Sequence, residues 1–331
     1  MKEKILHLLK EYEKSFISGQ RISKELGVTR TAVWKYINIL KEDGYKIESV
    51  SKRGYRLISS PDLLSFEELN EKLITKYIGR NIMYFQTLGS TNNKAKELAL
   101  SNAPHGTVII SEEQTEGRGR LGRNWSSPKF KGIWLSIILR PDTDPLNVPK
   151  VTQVGAAAVI KALNELDINA YVKWPNDIIL NEKKVCGILT EMSGELNKVN
   201  YVVMGIGINV NTDSSDFPEE LKNTATSISL ETGKYIKRKE LVSKLLNSFE
   251  LLYDEFEKEE TIKTSVSICK KNSILLGKEI KIINRGKETY ARAVDLSDEG
   301  ELTVQYTDGI VEKIVSGEVS IRGLTGSYTP R

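Results

Sequence analysis

The sequence predicts a multidomain α+β protein on three observations. Short amphipathic helices and a basic hairpin fill the first 60 residues, long helical stretches then alternate with short apolar strands over residues 66–268, and five brief β runs punctuated by glycine follow. The 331 residues are 39% hydrophobic and 28% charged, the balance of a globular chain with room for two or three cores. The expected boundaries are 1–60, 64–268 and 269–331, with Ser59-Ser60-Pro61-Asp62 as the first linker.

The N-terminal part reads as a winged helix-turn-helix. Ile5, Leu6, Leu9 and Tyr12 give a first helix one apolar face, residues 20–26 form a second that Gly27 ends, and Thr29 caps a third in which Val33, Ile37 and Leu40 recur at i, i+4 and i+7. The other face of the third helix carries Arg30, Thr31, Lys35 and Asn38, types that reach phosphates and base edges in a major groove. Strand-like residues 45–50 and 55–58 flank Ser51-Lys52-Arg53-Gly54, so Lys52 and Arg53 tip a wing. Charge segregates with these elements. Residues 1–60 hold 13 Lys and Arg against 7 Asp and Glu, while the remainder holds 35 against 37. That excess predicts DNA as a partner; a small helical domain for protein contacts is the competing reading.

Residues 66–268 read as a mixed-sheet α/β domain, with helical periodicity over residues 91–102, 147–166 and 238–259. Between strand-like residues 107–110 and 133–139 lies Gln114-Thr115-Glu116-Gly117-Arg118-Gly119-Arg120-Leu121-Gly122-Arg123-Asn124. Glycines let backbone N–H groups form a concave nest, and the interleaved guanidiniums add charge and forked donors, so the segment suits a bound anion, phosphate or carboxylate. Gly117, Gly119 and Gly122 also spell a dinucleotide fingerprint, with Asp142 placed to mimic its ribose acid. That fingerprint must open a helix, whereas Trp125-Ser126-Ser127-Pro128 and a second strand follow here. A solvated basic hairpin is the plainer alternative for this segment alone.

After Cys269, strand-like residues 279–283, 289–294, 301–306, 311–315 and 319–321 alternate with Gly277, Gly286, Gly300 and Gly309, which predicts a small β-barrel of SH3-like size. The two cysteines, Cys186 and Cys269, have no metal-ligand spacing and read as free buried thiols. No tightly bound protein metal is expected. His105 reads as a surface loop residue. The N-terminus is amphipathic rather than signal-like and no apolar run is long enough to span a bilayer, so the expected location is the cytoplasm, without a membrane partner.

Three more segments join the glycine-arginine loop: Leu88-Gly89-Ser90-Thr91-Asn92 at a strand-to-helix junction; Lys173-Trp174-Pro175-Asn176-Asp177 running on to Lys183-Lys184-Val185-Cys186-Gly187-Ile188; and Met204-Gly205-Ile206-Gly207-Ile208-Asn209-Val210-Asn211, an apolar strand interrupted by glycines. In order and approximate spacing this set resembles the biotin protein ligases of the bifunctional type that also repress the biotin operon. The resemblance covers nearly the whole chain.

It implies joining of biotin to ATP as biotinyl-5′-adenylate, then transfer of the biotinyl group to a lysine of a biotin carboxyl carrier domain. Two anions meet in the first step, so fixed positive charge is needed, and Arg118, Arg120, Arg123 and Lys184 with Mg2+ on the phosphates can supply it. By resemblance, Ser90, Thr91, Asn92, Gln114, Gly117, Arg118 and Arg120 line the biotin and adenylate groups, and Lys184 polarises the reacting carboxylate or α-phosphate. Gly187 and Ile188 bound the biotin pocket, and Trp125 and Asn209 the nucleotide side. Asp177 is the candidate to accept or steer the proton of the carrier lysine, and Phe217 to close a lid over residues 212–223. The resemblance further implies a homodimer when adenylate-bound, formed through an exposed strand around residues 185–191 and binding operator DNA. Two alternatives stay open: a non-catalytic ligand-sensing winged-helix transcription factor, and a lipoate-type ligase.

Overall fold

The computed structural model describes residues 1–12, 15–284, 286–315, 319–324 and 327–329. It divides into two compact units, Met1–Glu71 and Lys72–Arg331.

The first unit is built from α1 (Lys2–Glu11), α2 (Gly19–Leu26), α3 (Arg30–Glu42), the hairpin of β1 (Lys46–Val50) and β2 (Gly54–Ser59), and a short α4 (Phe66–Leu69). Ser18 and Thr29 cap α2 and α3 through side-chain oxygens that accept from Arg21 N–H and Ala32 N–H, each at 3.1 Å. Gly27 closes α2 in the left-handed conformation at φ 64°. Ile5, Leu9, Ile22, Val33, Ile37, Leu40 and Leu57 form the core. Gly54 is required at its position: φ is 107°, and a Cβ there would lie 2.1 Å from the Ile17 carbonyl oxygen. The unit extends past residue 60 because α4 packs back on it, with the Tyr45 hydroxyl donating to Glu68 at 2.9 Å and Lys10 pairing with Glu68 at 3.1 Å.

The second unit begins with β3 (Ile82–Phe85), α5 (Thr91–Leu100), β4 (Val108–Ser111), β5 (Gly132–Leu139) and α6 (Val148–Asn164). It continues through β6 (Tyr171–Lys173), β7 (Asp177–Leu180), β8 (Lys183–Glu195), β9 (Lys198–Asn209), α7 (Ile228–Thr232), α8 (Arg238–Glu259) and α9 (Lys263–Lys271). A seven-stranded mixed sheet runs β3-β4-β5-β9-β8-β7-β6, parallel only between β3 and β4. Strand alternation lets β9 serve both faces: Val203 packs with Ala95 and Ala99 of α5, and Met204 reaches Gly155 of α6. All eight residues of β5 are buried, as a central strand covered on both faces requires.

The strand expected to be exposed around residues 185–191 is covered over its first half. Val185 and Cys186 are fully buried, and β7 pairs with β8 as far as Gly187. Among the described residues, β8 beyond Gly187 pairs only with β9, and the exposed apolar side chains near that hairpin are Met192 and Leu196.

The chain then forms β10 (Glu279–Asn284), β11 (Lys287–Leu296), β12 (Leu302–Gln305), β13 (Val311–Ile314) and β14 (Val319–Arg322). These make an antiparallel sheet of order β13-β12-β11-β10-β14, and among the described residues no pairing of β13 with β14 closes it. The sheet belongs to the same compact unit as the seven-stranded one. The Trp174 indole N–H donates to the Gly300 carbonyl at 2.9 Å, and Val172 exchanges backbone hydrogen bonds with Asn272 and Ile274. His105 is a structural residue rather than a surface one. Its Nδ1 accepts from Arg140 N–H at 2.9 Å, its ring lies 4.9 Å from that of Tyr77, and burial lowers its pKa. Both cysteines are free and buried, which pushes the Cys269 thiol up to about 12.

Candidate active site

One cleft of the second unit gathers the segments singled out above. Ser90 caps α5, and the first residues of that helix start a buried hydrogen-bond chain. Thr91 N–H and Oγ1 donate to Gln114 Oε1 at 2.8 and 3.1 Å, and Gln114 Nε2 donates to Ser127 at 2.9 Å. Ser136 on β5 lies 2.8 Å from Thr91 Oγ1 and 2.6 Å from Asn92 Oδ1, while Asn92 Nδ2 donates to Glu191 at 2.7 Å. Both sides of the Asn92 amide are thereby satisfied, which fixes its orientation.

The glycine-arginine loop is a tight excursion rather than a helix start. Gly117 O accepts from Trp125 N–H at 2.9 Å, and Gly119 N–H donates to Arg123 O at 2.7 Å. Its tip turns at Leu121 and Gly122, with φ 56° and 71°. Arg120 folds inward and donates to Asn176 Oδ1 at 2.9 Å; Asn176 in turn donates to Ile188 O at 2.8 Å. Arg118 and Arg123 are exposed and make no ion pair among the described residues. Gly117 does not itself line the cleft. A Cβ there would lie 2.3 Å from the Trp125 carbonyl, so this glycine shapes the loop from behind.

The floor is formed by β8 and β9, where three glycines admit larger groups. A Cβ on Gly205 would come within 2.1 Å of Asn92 Oδ1, on Gly207 within 2.6 Å of Trp125 Nε1, and on Gly187 within 2.9 Å of the Trp125 ring. Ile188 lines the same floor, and the buried Trp125 N–H of the indole has no partner among the described residues. Asn209 borders the cleft but donates its amide to Thr226 O at 3.0 Å, holding residues 224–226 beside Lys184. Phe217 is buried and lines the rim.

Opposite the loop, Lys184 Nζ lies 2.5 Å from Asp177 Oδ1 and 5.1 Å from the centroid of the Trp125 ring. The other Asp177 oxygen accepts from the Tyr328 hydroxyl. Burial alone would raise the Asp177 pKa, but Lys184 and Lys173 and the hydrogen bonds outweigh it and hold the carboxyl below its usual range. An anion held that firmly is a weak proton acceptor. Lys173 is 2% exposed, and burial lowers its pKa well below the usual lysine value despite Asp177. Among the described residues, six basic side chains, Arg118, Arg120, Arg123, Lys173, Lys184 and Arg322, line the cleft against the carboxylate of Asp177, a lining that suits an anion.

The expected residues Ser90, Thr91, Asn92, Gln114, Arg118, Arg120, Trp125, Asp177, Lys184, Gly187, Ile188, Asn209 and Phe217 all line this cleft. Arg30, Thr31, Lys35, Asn38, Lys52 and Arg53 lie in the first unit, where Asn38 is half-buried and the others are exposed. Beside them stands Trp34, 59% exposed on α3, which helical periodicity could have placed on that face. Arg53 lies 4.2 Å over the Phe16 ring, so the wing tip is steadied by an aromatic outside the hairpin. Lys173 stands in plain view inside its motif, whereas nothing in the sequence pattern points to Tyr328.

Comparison with known proteins defines the class first. Residues 83–209 match the biotin/lipoate A/B protein ligase family, residues 2–56 an HTH domain, and residues 275–322 the biotin protein ligase C-terminal domain. The chain is 39% identical to the bifunctional ligase/repressor BirA of Bacillus subtilis over 97% of this chain and 98% of that protein. It is 28% identical to BirA of Escherichia coli, covering 96% of each. The solved biotin protein ligase of Aquifex aeolicus in complex with biotin and ATP superposes with a TM-score of 0.64 at 34% identity, over 73% of this chain and 99% of that one. The chain belongs to the bifunctional ligase/repressor family.

Proposed function

We infer that the protein is an ATP-dependent biotin ligase that forms biotinyl-5′-adenylate, passes biotin to a lysine of a carboxyl carrier domain, and represses transcription in response to biotin. The observation that carries this reading is the cleft in which one apolar glycine floor meets six basic side chains and the Lys184–Asp177 pair. The floor of Gly187, Ile188, Gly205 and Gly207 suits the apolar body of biotin, and Thr91, Gln114 and Asn92 offer polar edges for its ureido group. Lys184 and the arginines stabilise charge as the biotin carboxylate attacks the α-phosphate and pyrophosphate leaves. Asp177, held ionised, acts by steering the incoming carrier ammonium and keeping Lys184 in place. Mg2+ enters with ATP as part of the co-substrate: among the described residues the cleft offers it one carboxylate, already engaged by Lys184 and Tyr328.

The N-terminal unit supplies the operator contacts, through Arg30, Thr31, Lys35 and Asn38 on α3 and Lys52 and Arg53 on the wing. A single recognition helix reads one half-site, so repression calls for a homodimer, and the part of β8 beyond Gly187 that lacks β7 is the edge we assign to it. We read the five C-terminal strands, turned at Gly286, Gly300 and Gly309, as an SH3-like barrel.

Incubation with biotin and Mg-ATP, with and without a carrier domain, tests the whole reading by mass spectrometry. Biotinyl-adenylate, a biotinylated carrier, and faster sedimentation of the adenylate-loaded protein are expected. Biotin binding without either product would make the chain a sensor, and preference for lipoate would make it a lipoate-type ligase.

Phe217 packs at the rim through residues held by a capping box between Asp213 and Asp216. Phe217→Ala is expected to speed adenylate dissociation by about tenfold, the scale of one buried aromatic contact at a lid. Release by the variant at the parent rate, measured by dilution of adenylate-loaded protein, would remove Phe217 from the lid.

A further inference from the structure

Tyr328 follows β14 and lies outside every helix and strand, yet it reaches the cleft. Its hydroxyl donates to Asp177 Oδ2, while Asp177 Oδ1 faces Lys184 Nζ at 2.5 Å. One carboxylate is thus divided between the C-terminal segment and the lysine assigned to the chemistry. The phenol ring is held independently of that bond, with Lys173 Nζ 3.5 Å from its centroid and the Arg322 guanidinium carbon at 5.0 Å. The backbone is tied as well: Gly323 N–H donates to Ser327 O at 3.0 Å, Ser327 Oγ to Thr329 O at 2.7 Å, and Thr329 Oγ1 to Glu182 O at 3.4 Å. The last bond reaches the turn between β7 and β8, the two strands that carry Asp177 and Lys184.

We propose that Tyr328 is a positioning residue for adenylate formation, its hydroxyl keeping the Asp177 carboxylate turned toward Lys184 and so keeping the Lys184 ammonium aimed into the cleft. The proposal rests on the ligase reading above. A carboxylate fixed through one oxygen only is free to swing about its broad terminal torsion, and the ammonium bound to it moves too. With one oxygen hydrogen-bonded to Tyr328 and the other ion-paired with Lys184, the lysine is pre-set before substrate arrives, which is where electrostatic catalysis gains its advantage. The groups facing Asp177 are Lys184 of β8, Lys173 of β6, Arg120 of the glycine-arginine loop and Tyr328 itself; Arg322 and Arg123 face the phenol. Burial and the neighbouring Asp177 hold the Tyr328 pKa well above its usual value, so the phenol stays a protonated donor. That donor favours ionised Asp177. Without it the carboxyl protonates at higher pH, and activity that needs the ionised form is lost earlier as pH falls.

The test uses full-length Tyr328→Phe and Tyr328→Ala, after wild-type protein has been shown to release pyrophosphate from biotin and Mg-ATP. A wild type without turnover would remove the ligase reading, a failure separate from this one. Tyr328→Phe keeps the ring and loses only the donor. It is expected to lower kcat for pyrophosphate release about tenfold, the scale of a hydrogen bond to a charged group, with KM for biotin within about twofold. Its acid limb should move to higher pH, and in an Asp177→Asn background the same change should move no such limb. Wild-type kcat and pH profile in the Phe variant overturn the proposal. So do a loss confined to the Ala variant with an unmoved limb in the Phe variant, which would mark packing alone, and a faster Phe variant, which would make Tyr328 a plug.

Discussion

Replacing Lys184 by alanine is expected to slow adenylate formation by about a hundredfold to a thousandfold, the cost of losing one preorganised charge at a reacting anion. The effect should fall on kcat. On the proposed reading biotin binds through the glycine floor and the Thr91–Gln114 chain, so its KM should change little. The lysine is unusually well placed. Its backbone N–H and C=O bond to Thr224 O at 2.8 Å and Thr226 N–H at 2.9 Å, so the strand cannot slip. Lys184→Arg should recover little, because a planar fork does not reproduce a point charge seated between Asp177 and the Trp125 ring. Single-turnover pyrophosphate release, with a thermal melt to confirm folding, decides the matter. A loss under about tenfold in a folded variant would shift the main charge role to the arginine loop.

Why Lys184 rather than Lys183 faces the site is visible only in the fold. In the β7–β8 ladder Cys186 lies opposite Ile178 and Lys184 opposite Ile179, so Val185 is an extra residue in β8. Such a bulge re-aims the side chains beside it, and period-two reading of the sequence cannot locate it. Elements governed by local rules were legible. The helix expected over residues 238–259 is α8, and Thr29 caps α3 as expected. The helix expected over residues 91–102 ends at Leu100, because Asn102 turns to φ 60°. Contacts made across large sequence distances were not legible. Trp125 lies on Gly187 and Gly207, Glu191 holds Asn92, and Tyr328 meets Asp177 only through the sheet topology. In the sequence the floor reads only as an apolar strand interrupted by glycines, and nothing there says that the protein's own Trp125 lies on them.

Arg238→Ala is expected to destabilise the second unit by about 3–5 kcal/mol, the cost of stripping one partner from a buried ion pair. Arg238 opens α8 at 2% exposure, and Glu112, at 0%, follows β4. Arg238 Nη1 lies 2.5 Å from Glu112 Oε2 and donates to Gly132 O at 3.1 Å, while the Tyr84 hydroxyl donates to Glu112 Oε1 at 2.8 Å. The alanine variant leaves a sealed carboxylate that still accepts from the Tyr84 phenol but has lost its guanidinium. Taking two charges out of water costs several kcal/mol that their attraction must first offset, so removing both charges should hurt less than removing one. Arg238→Met with Glu112→Gln is accordingly expected to regain more than half of the lost stability, read by urea denaturation of each variant. The consequence reaches the site. Glu112 N–H donates to Phe85 O at 3.0 Å two residues before Gln114, so the pair anchors the root of the Thr91–Gln114 chain. The single mutant should therefore raise KM for biotin even at temperatures where it remains folded, and the double mutant should restore it. An Arg238→Ala protein as stable as the parent would mean that Glu112 finds water on relaxation, and the root of the loop would then owe its placement to β4 and β5 alone.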